Sequence, residues 1–143
     1  QHPEFSFSIL GSDISNNVLD KAVRGVYPEK SVDVIPLYLK KKYFLRSKDR
    51  VNPTVKVTKQ LQQNISLKYL NLMDKVYDIT EKYDVIFCRN VLIYFDHETQ
   101  EKVVGKLCRH LSPGGYLMIG HSESIANMDL PLKNIKPTMF KRI

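Results

Sequence analysis

The chain has 143 residues, and 43% of them are hydrophobic, so it can bury a core and is not disordered by composition. No apolar run approaches the roughly 20 residues that a membrane-spanning helix needs, and no charged-then-apolar leader opens the sequence. The formal net charge of +7 is local, because residues 40–60 carry eight basic side chains and one acid while the remainder is neutral. The basic residues are Lys40, Lys41, Lys42, Arg46, Lys48, Arg50, Lys56 and Lys59.

The length allows one domain, and the two cysteines, Cys88 and Cys108, are too few for a disulfide scaffold. A reduced, cytoplasmic protein without a membrane-inserted segment is therefore expected. The histidines and cysteines do not occur at metal-ligand spacing, so no metal site is expected. The sequence contains no P-loop, no Gly-x-Ser-x-Gly and no Cys–His nucleophile pair.

The first predicted elements are a strand, a short turn and a helix. The stretch FSFSILGSD (residues 5–13) alternates apolar and polar residues, which is typical of a strand. Ser15 is a suitable helix N-cap, and Gly25 fits just past the end of the helix. One face of this helix carries Val18, Leu19, Ala22 and Val23.

The middle of the chain, from about Pro36 to Tyr69, has a different pattern. LYLKKKYF could form one or two helical turns, and YFLR, PTVKVT and ISLKYLNL are short β-rich runs separated by polar turns. This pattern predicts a small antiparallel unit, so that a basic β-rich insertion spans about residues 40–69.

The α/β pattern then resumes. YDVIFCRN reads as a buried strand, and Asp96 is expected to cap a helix from about His97 to His110. One stripe of this helix carries Val103, Val104, Leu107 and Leu111. The run Ser112–Gly115 ends the helix, YLMIG is the next strand, and TMFKRI is expected to be an edge strand. The predicted fold is α/β with a mostly parallel sheet.

Ligands of open α/β sheets bind outside the carboxyl ends of the strands. Three predicted strand ends carry polar groups: Asp13, the pair Arg89–Asn90, and the run His121–Glu123. The pair Asn71–Leu72, after ISLKY, is a fourth candidate. An acid in the position of Asp13 can accept hydrogen bonds from ribose hydroxyls, but it can equally cap the following helix.

Five motifs taken together, SDIS, NLMD, FCRNVLIYFD, SPGG and GHSES, resemble in order and spacing the chemotaxis-receptor glutamate methyltransferases, the CheR family. The resemblance covers essentially the whole chain. It implies a class I, Rossmann-like methyltransferase fold with S-adenosylmethionine as cofactor and S-adenosylhomocysteine as product. The implied partner is an acidic protein substrate, the cytoplasmic helices of chemotaxis receptors.

The resemblance also implies roles for individual residues. Asp13 would hold the cofactor ribose, Asn71 and Leu72 would contact the adenine side, and Arg89 and Asn90 would line the cofactor and substrate pocket.

Three residues are implied in catalysis by the same resemblance: Arg89, Tyr94 near the transferred methyl group, and Arg46 leaning over the pocket from the β unit. In some members that β unit grips a tethering peptide of the receptor. The presumed hairpin turns here have no glycine, so peptide-tethered docking is not assumed.

The sequence departs from the family pattern at its beginning. The family's N-terminal helical domain, first strand and glycine-containing cofactor loop are all absent, so we expect the back part of a longer enzyme, inactive on its own. The missing strand would lie at the centre of the sheet and leave unpaired edges, which direct pairing or a strand-swapped oligomer would close.

Two other functions stay open at this stage. A chain with half a cofactor cradle could be a non-catalytic partner-binding or regulatory module, which titration with S-adenosylhomocysteine would reveal by weak or absent binding. The basic stretch raises nucleic-acid binding, but aromatic residues within it are sparse and it has no nucleic-acid-binding signature, so no nucleic-acid partner is expected.

Overall fold

The structure, a computed structural model, describes residues 6–125 and 127–143. The length alone predicted one domain, whereas the structure has two compact units, one ending at Asn71 and one running from Leu72 to Ile143. Each unit has its own sheets.

Within residues 6–71, the first unit contains five strands and three helices. In chain order they are β1 (Ile9–Asp13), α1 (Asn16–Arg24), β2 (Val26–Pro28), a 3₁₀ turn (Glu29–Val32), α2 (Leu37–Tyr43), β3 (Phe44–Arg46), β4 (Thr54–Val57), α3 (Lys59–Gln62) and β5 (Ile65–Tyr69). β1 and β5 form a parallel pair, while β2, β4 and β3 form an antiparallel sheet in that order. The antiparallel sheet is thus inserted in the connection between two parallel neighbours.

The predicted strand, turn and helix at the start are confirmed in type and order, but the strand is shorter than residues 5–13: β1 begins at Ile9, and Phe5 lies outside the described residues. The Ser15 hydroxyl accepts a hydrogen bond from the N–H of Val18 at 3.4 Å, as an N-cap does. Gly25 ends α1 with a φ of 61°, a left-handed conformation that glycine adopts without strain.

The predicted antiparallel unit exists, but its boundaries of about 40–69 are wrong. ISLKY forms β5 and pairs in parallel with β1, with Ile9 opposite Ile65. The antiparallel sheet instead begins with β2 and spans residues 26–57. Strand propensity identifies short strands but does not identify their partners, and Gly25 and Pro28 read only as helix-ending signals. Residues 26–57, called the basic insertion below, carry eight basic and three acidic residues, a net charge of +5.

Within residues 72–125 and 127–143, the second unit contains one long helix and four strands. They are β6 (Tyr83–Cys88), a 3₁₀ turn (Leu92–Tyr94), α4 (His97–His110), β7 (Leu111–Ile119), β8 (Leu132–Lys136) and β9 (Met139–Arg142). The strand order is β6-β7-β9-β8, with β6 and β7 parallel and the other pairs antiparallel.

Two expectations about this sheet need correction. TMFKRI is not an edge strand, because β9 lies between β7 and β8. The sheet is also mixed and not mostly parallel, since β9 returns antiparallel to β7 and β8 pairs antiparallel to β9. A short connection from β8 to β9 allows only an antiparallel neighbour.

The α4 helix forms as predicted and supplies much of the core. The Asp96 carboxylate accepts a hydrogen bond from the N–H of Thr99 at 2.8 Å and caps its first turn. All four residues of the predicted stripe are buried: Val103, Val104, Leu107 and Leu111. Leu117 and Ile119 of β7 are buried with them, whereas Val85 and Phe87 of β6 are exposed.

The alternation along β7 predicts unequal effects of truncating two adjacent side chains. Leu117→Ala should lower the free energy of unfolding by about 2–5 kcal/mol, because Leu117 is only 1% exposed and its loss leaves a cavity. Met118→Ala, on the opposite and partly exposed face, should cost clearly less. Urea unfolding followed by circular dichroism measures both, and equal losses would mean that the core face of β7 is misassigned.

Candidate cofactor and substrate site

The carboxyl ends of β6 and β7 lie side by side in the second unit. The strands are parallel, and Cys88 at the end of β6 is opposite Ile119 at the end of β7. The polar pair Arg89–Asn90 and the loop that begins at Gly120 therefore leave the sheet at the same edge. This edge is where ligands of α/β sheets bind.

The side chain of Glu123 joins these two loops. One carboxylate oxygen accepts hydrogen bonds from the N–H groups of Val91 at 2.8 Å and Leu92 at 2.7 Å. The other oxygen accepts from the N–H of Gly120 at 2.5 Å. Glu123 is only 8% exposed, so it is a buried carboxylate whose partners are all backbone donors. We call this arrangement the Glu123 clamp.

The carboxylate of Glu123 is ionised at neutral pH. Burial alone would raise its pKa, but hydrogen bonds from the N–H groups of Gly120, Leu92, Asn90 and Val91 stabilise the charged form and hold the pKa below its usual value. A carboxylate satisfied in this way fixes the loops that surround it, because each lost bond would leave a buried polar group without a partner.

The backbone at Gly120 lies very close to the side chains of Asn90 and Glu123. A Cβ atom on Gly120 would lie 2.6 Å from Oδ1 of Asn90 and 2.7 Å from a carboxylate oxygen of Glu123, so only glycine fits there. Asn90 itself has a φ of 59°, a left-handed conformation that asparagine tolerates better than most residues. Sequence reasoning placed Glu123 in a polar strand-end loop but assigned it no role.

Cys88, at the end of β6, is not a nucleophile. Burial and the nearby charge of Glu123 raise the pKa of its thiol to about 12, so almost no thiolate is present at neutral pH. Its interpretation as a core residue is supported by its 6% exposure.

The segment that follows Leu72 is anchored to α4. The carbonyl of Leu72 accepts hydrogen bonds from the Tyr77 hydroxyl at 2.9 Å and from the ammonium of Lys106 at 2.5 Å. Lys106 also donates to the carbonyl of Asp74 at 2.7 Å and lies 4.8 Å from the centre of the Tyr77 ring. These contacts fix the backbone at one of the predicted adenine-side residues.

In the first unit, Asp13 and Asn71 lie near one strand end. Asp13 closes β1 opposite Tyr69, and the N–H of Leu70 donates to the carbonyl of Asp13 at 3.0 Å. One oxygen of the Asp13 carboxylate accepts the N–H of Ser15 at 2.8 Å. Asp13 thus orders the turn before α1, which agrees with a helix-capping role. It also lies at the carboxyl end of a parallel strand, the position expected of a residue that binds ribose hydroxyls.

The remaining predicted site residues occupy more exposed positions. Arg46, on β3, forms a two-bond ion pair with Glu29, with N···O distances of 2.8 and 3.0 Å. Tyr94 ends the 3₁₀ turn that follows the Glu123 clamp, and it is 78% exposed. The predicted set is divided between the units: Asp13, Arg46 and Asn71 belong to the first, and Leu72, Arg89, Asn90 and Tyr94 to the second.

Within residues 6–125 and 127–143, no three His, Cys, Asp or Glu side chains lie close enough to hold a metal ion. In the same part of the chain, no helix combines the length and apolarity needed to span a bilayer.

In each unit, polar groups lie at the carboxyl ends of parallel strands, the position at which α/β domains bind their ligands. Comparison with protein families makes the class specific. Residues 1–141 match the family described as CheR methyltransferase, SAM binding domain, and the chain belongs to this family. The resemblance drawn from the sequence motifs is thereby confirmed.

The curated relatives of the chain support this family assignment. The chain is 40% identical over 138 residues to the chemotaxis protein methyltransferase of Borreliella burgdorferi, which covers 96% of this chain and 47% of that protein. It is 35% identical to chemotaxis protein methyltransferase 2 of Pseudomonas aeruginosa, over 92% of this chain and 47% of that protein. It is 33% identical to the Escherichia coli enzyme, over 86% of this chain and 43% of that protein. The chain thus spans less than half the length of these curated relatives.

Proposed function

We propose that the protein containing this chain transfers a methyl group from S-adenosylmethionine to glutamate side chains of chemotaxis receptors in the cytoplasm. Membership of the CheR methyltransferase SAM-binding family carries the proposal, together with the names of the relatives. The arrangement of the strand ends supports it, because polar loops follow β6 and β7 at one edge and β1 and β5 at another.

The residues at these edges fit the cofactor chemically. Asp13, an acid at a parallel strand end, suits the ribose hydroxyls, and Asn71 and Leu72 supply amide and carbonyl groups for the adenine side. Arg89 and Asn90 are exposed and offer polar side chains to a ligand, and they lie beside Gly120, whose buried backbone is approached closely by Asn90 and Glu123.

The reaction needs orientation more than it needs acid–base chemistry. A glutamate side chain with a pKa near 4.3 is already ionised at neutral pH, so its oxygen can attack without a general base. When bound, the cofactor supplies an electrophilic methyl group on a sulfonium. The protein aligns the carboxylate with that methyl and excludes water. A reaction that needs orientation and no general base is consistent with a sequence that contains no nucleophile–base motif.

Arginines are suited to hold the substrate carboxylate. A guanidinium offers five N–H donors in a planar fork, and two bonds from Arg46 already go to Glu29. Arg46 therefore keeps donors for a second carboxylate while Glu29 fixes its plane. Arg89 is exposed beside the Glu123 clamp, and we propose that Tyr94, whose exposed ring lies on the turn that follows, orients the reacting groups.

The proposed reaction has a distinctive product. The full-length protein, given S-adenosylmethionine with a tritiated methyl group and a receptor cytoplasmic fragment, should label the fragment. Mild alkali should release the label as methanol, because a glutamyl methyl ester hydrolyses readily whereas methylated amines do not. A fragment whose acceptor glutamates are replaced by alanine should remain unlabelled. Alkali-stable label, or none on the intact fragment, would contradict the proposed function.

The basic insertion is the surface that we propose meets the acidic substrate. Lys40, Lys41 and Lys42 lie in the last turn of α2, and Lys40 is 3.8 Å from Asp33. A local excess of positive charge raises association rates with acidic partners and is screened by salt. Helical receptor segments rich in glutamate carry the complementary charge.

Replacing Lys40, Lys41 and Lys42 together with glutamine should therefore lower kcat/KM for the receptor at low salt, by roughly tenfold, and leave cofactor affinity unchanged. The difference should shrink above about 0.3 M salt, where screening is strong. A variant with glutamine at Lys133, Lys136 and Lys141, three exposed lysines of β8 and β9, is the matched control for lost charge. Equal effects of the two variants on kcat/KM would contradict the proposal that the basic insertion is the docking surface.

A further inference from the structure

We propose that Glu123 is a positioning residue for methyl transfer, because its buried carboxylate fixes the segment from Arg89 to Tyr94 at the edge of the sheet. The inference rests on the proposed function and adds a residue that does not itself need to touch cofactor or substrate. It is carried by the hydrogen bonds of the Glu123 clamp.

The clamp acts on the start of the turn that carries Tyr94. The N–H groups of Val91 and Leu92 would have no helical partner at the beginning of the 3₁₀ turn, and both donate to one oxygen of Glu123. The residue before them, Asn90, is held in its left-handed conformation. Releasing the carboxylate would therefore free the backbone on both sides of Asn90.

The other end of the turn is held separately. The side-chain amide of Gln100, on α4, donates to the carbonyls of Leu92 and Phe95, both at 3.0 Å. Tyr94 is thus presented by a turn that is fixed at its start by Glu123 and at its end by Gln100, while its own ring is exposed. A turn fixed at both ends is what orientation of a reacting group requires, since misplacement by about 1 Å can cost roughly a hundredfold in rate.

An ionised carboxylate is required for this role. Both oxygens of Glu123 accept from backbone N–H groups, so the site presents only donors. An amide of the same shape has one acceptor oxygen and one NH₂ group, and that NH₂ must face a donor. Glu123→Gln therefore keeps the volume of the side chain and breaks one side of the clamp.

In the full-length protein, Glu123→Gln should lower kcat for receptor methylation roughly 10- to 100-fold. Because the loop also carries Arg89 and Asn90, S-adenosylhomocysteine should bind more weakly by calorimetry. Val104→Ala, in the core of the same unit and 0% exposed, is the control for lost stability alone. It should lower the midpoint of thermal unfolding and leave kcat and the S-adenosylhomocysteine Kd within twofold of wild type at a temperature where both variants are folded.

A second variant acts on the clamp from the opposite side. Gly120→Ala forces a Cβ against Asn90 and Glu123 and should reproduce the loss of kcat. Gly105→Ala, in α4, is its matched control, since the added Cβ would have only an ordinary contact, 3.8 Å from Leu130, and should be neutral. In the double variant, the loss of kcat, expressed as a free energy, should be smaller than the sum of the losses caused by Glu123→Gln and Gly120→Ala alone. Both substitutions act on the same interaction.

The outcomes separate the inference from the function on which it rests. A wild-type protein that neither methylates nor binds S-adenosylhomocysteine would overturn the proposed function. An active wild type, with Glu123→Gln folded and retaining wild-type kcat and Kd, would overturn the positioning role alone. A loss of kcat that Val104→Ala matches would also overturn it, because stability would then explain the effect.

Discussion

The candidate site depends on one buried carboxylate. Glu123 accepts hydrogen bonds from the N–H groups of Val91 and Leu92 on one loop and of Gly120 on another, and thereby ties together the two chain segments that leave β6 and β7. Burying a charge is costly unless every acceptor is satisfied, and here the satisfying groups are the backbone itself. The arrangement gives the loops a single geometry. Asn90 in a left-handed conformation and a glycine at 120 are the local adjustments that it requires.

The other notable feature is the place where positive charge has accumulated. The antiparallel sheet of β2, β4 and β3 lies within the connection between the parallel strands β1 and β5, so it is an insertion in a βαβ-type crossover. It carries a net charge of +5, out of +7 for the whole chain. Loops and insertions tolerate such composition because they contribute little to the core, and a local charge can therefore be matched to a partner while the rest of the chain carries only the remaining +2. This separation is consistent with a cofactor framework that carries a substrate-facing module.

Much of this arrangement follows from local sequence signals, and the rest depends on contacts that such signals do not encode. The α1 and α4 helices are capped by Ser15 and Asp96 as predicted, because a capping side chain bonds to backbone N–H groups only two or three residues further along the chain. The partner of β5 and the interior position of β9 were mispredicted, because pairing is decided by residues distant in the chain. The Glu123 clamp was missed for the same reason. An acid in a strand-end loop does not by itself indicate a structural role. The role of Glu123 becomes visible only when the fold brings the N–H groups of Val91 and Leu92, in the loop after β6, within hydrogen-bond distance. The motif GHSES, which begins with Gly120 directly after β7, was the available hint.

The proposal that the protein containing this chain binds its cofactor through Asp13 and through the loops that follow β6 and β7 is tested most directly by a structure of the full-length protein with S-adenosylhomocysteine bound. The account predicts the Asp13 carboxylate within hydrogen-bond distance of the ribose hydroxyls. It also predicts the Arg89–Asn90 loop against the ligand, with the carboxylate of Glu123 still bound to the N–H groups of Val91, Leu92 and Gly120. A ligand bound away from Asp13 and Asn90, or a bound state in which Glu123 has released those N–H groups, would contradict it.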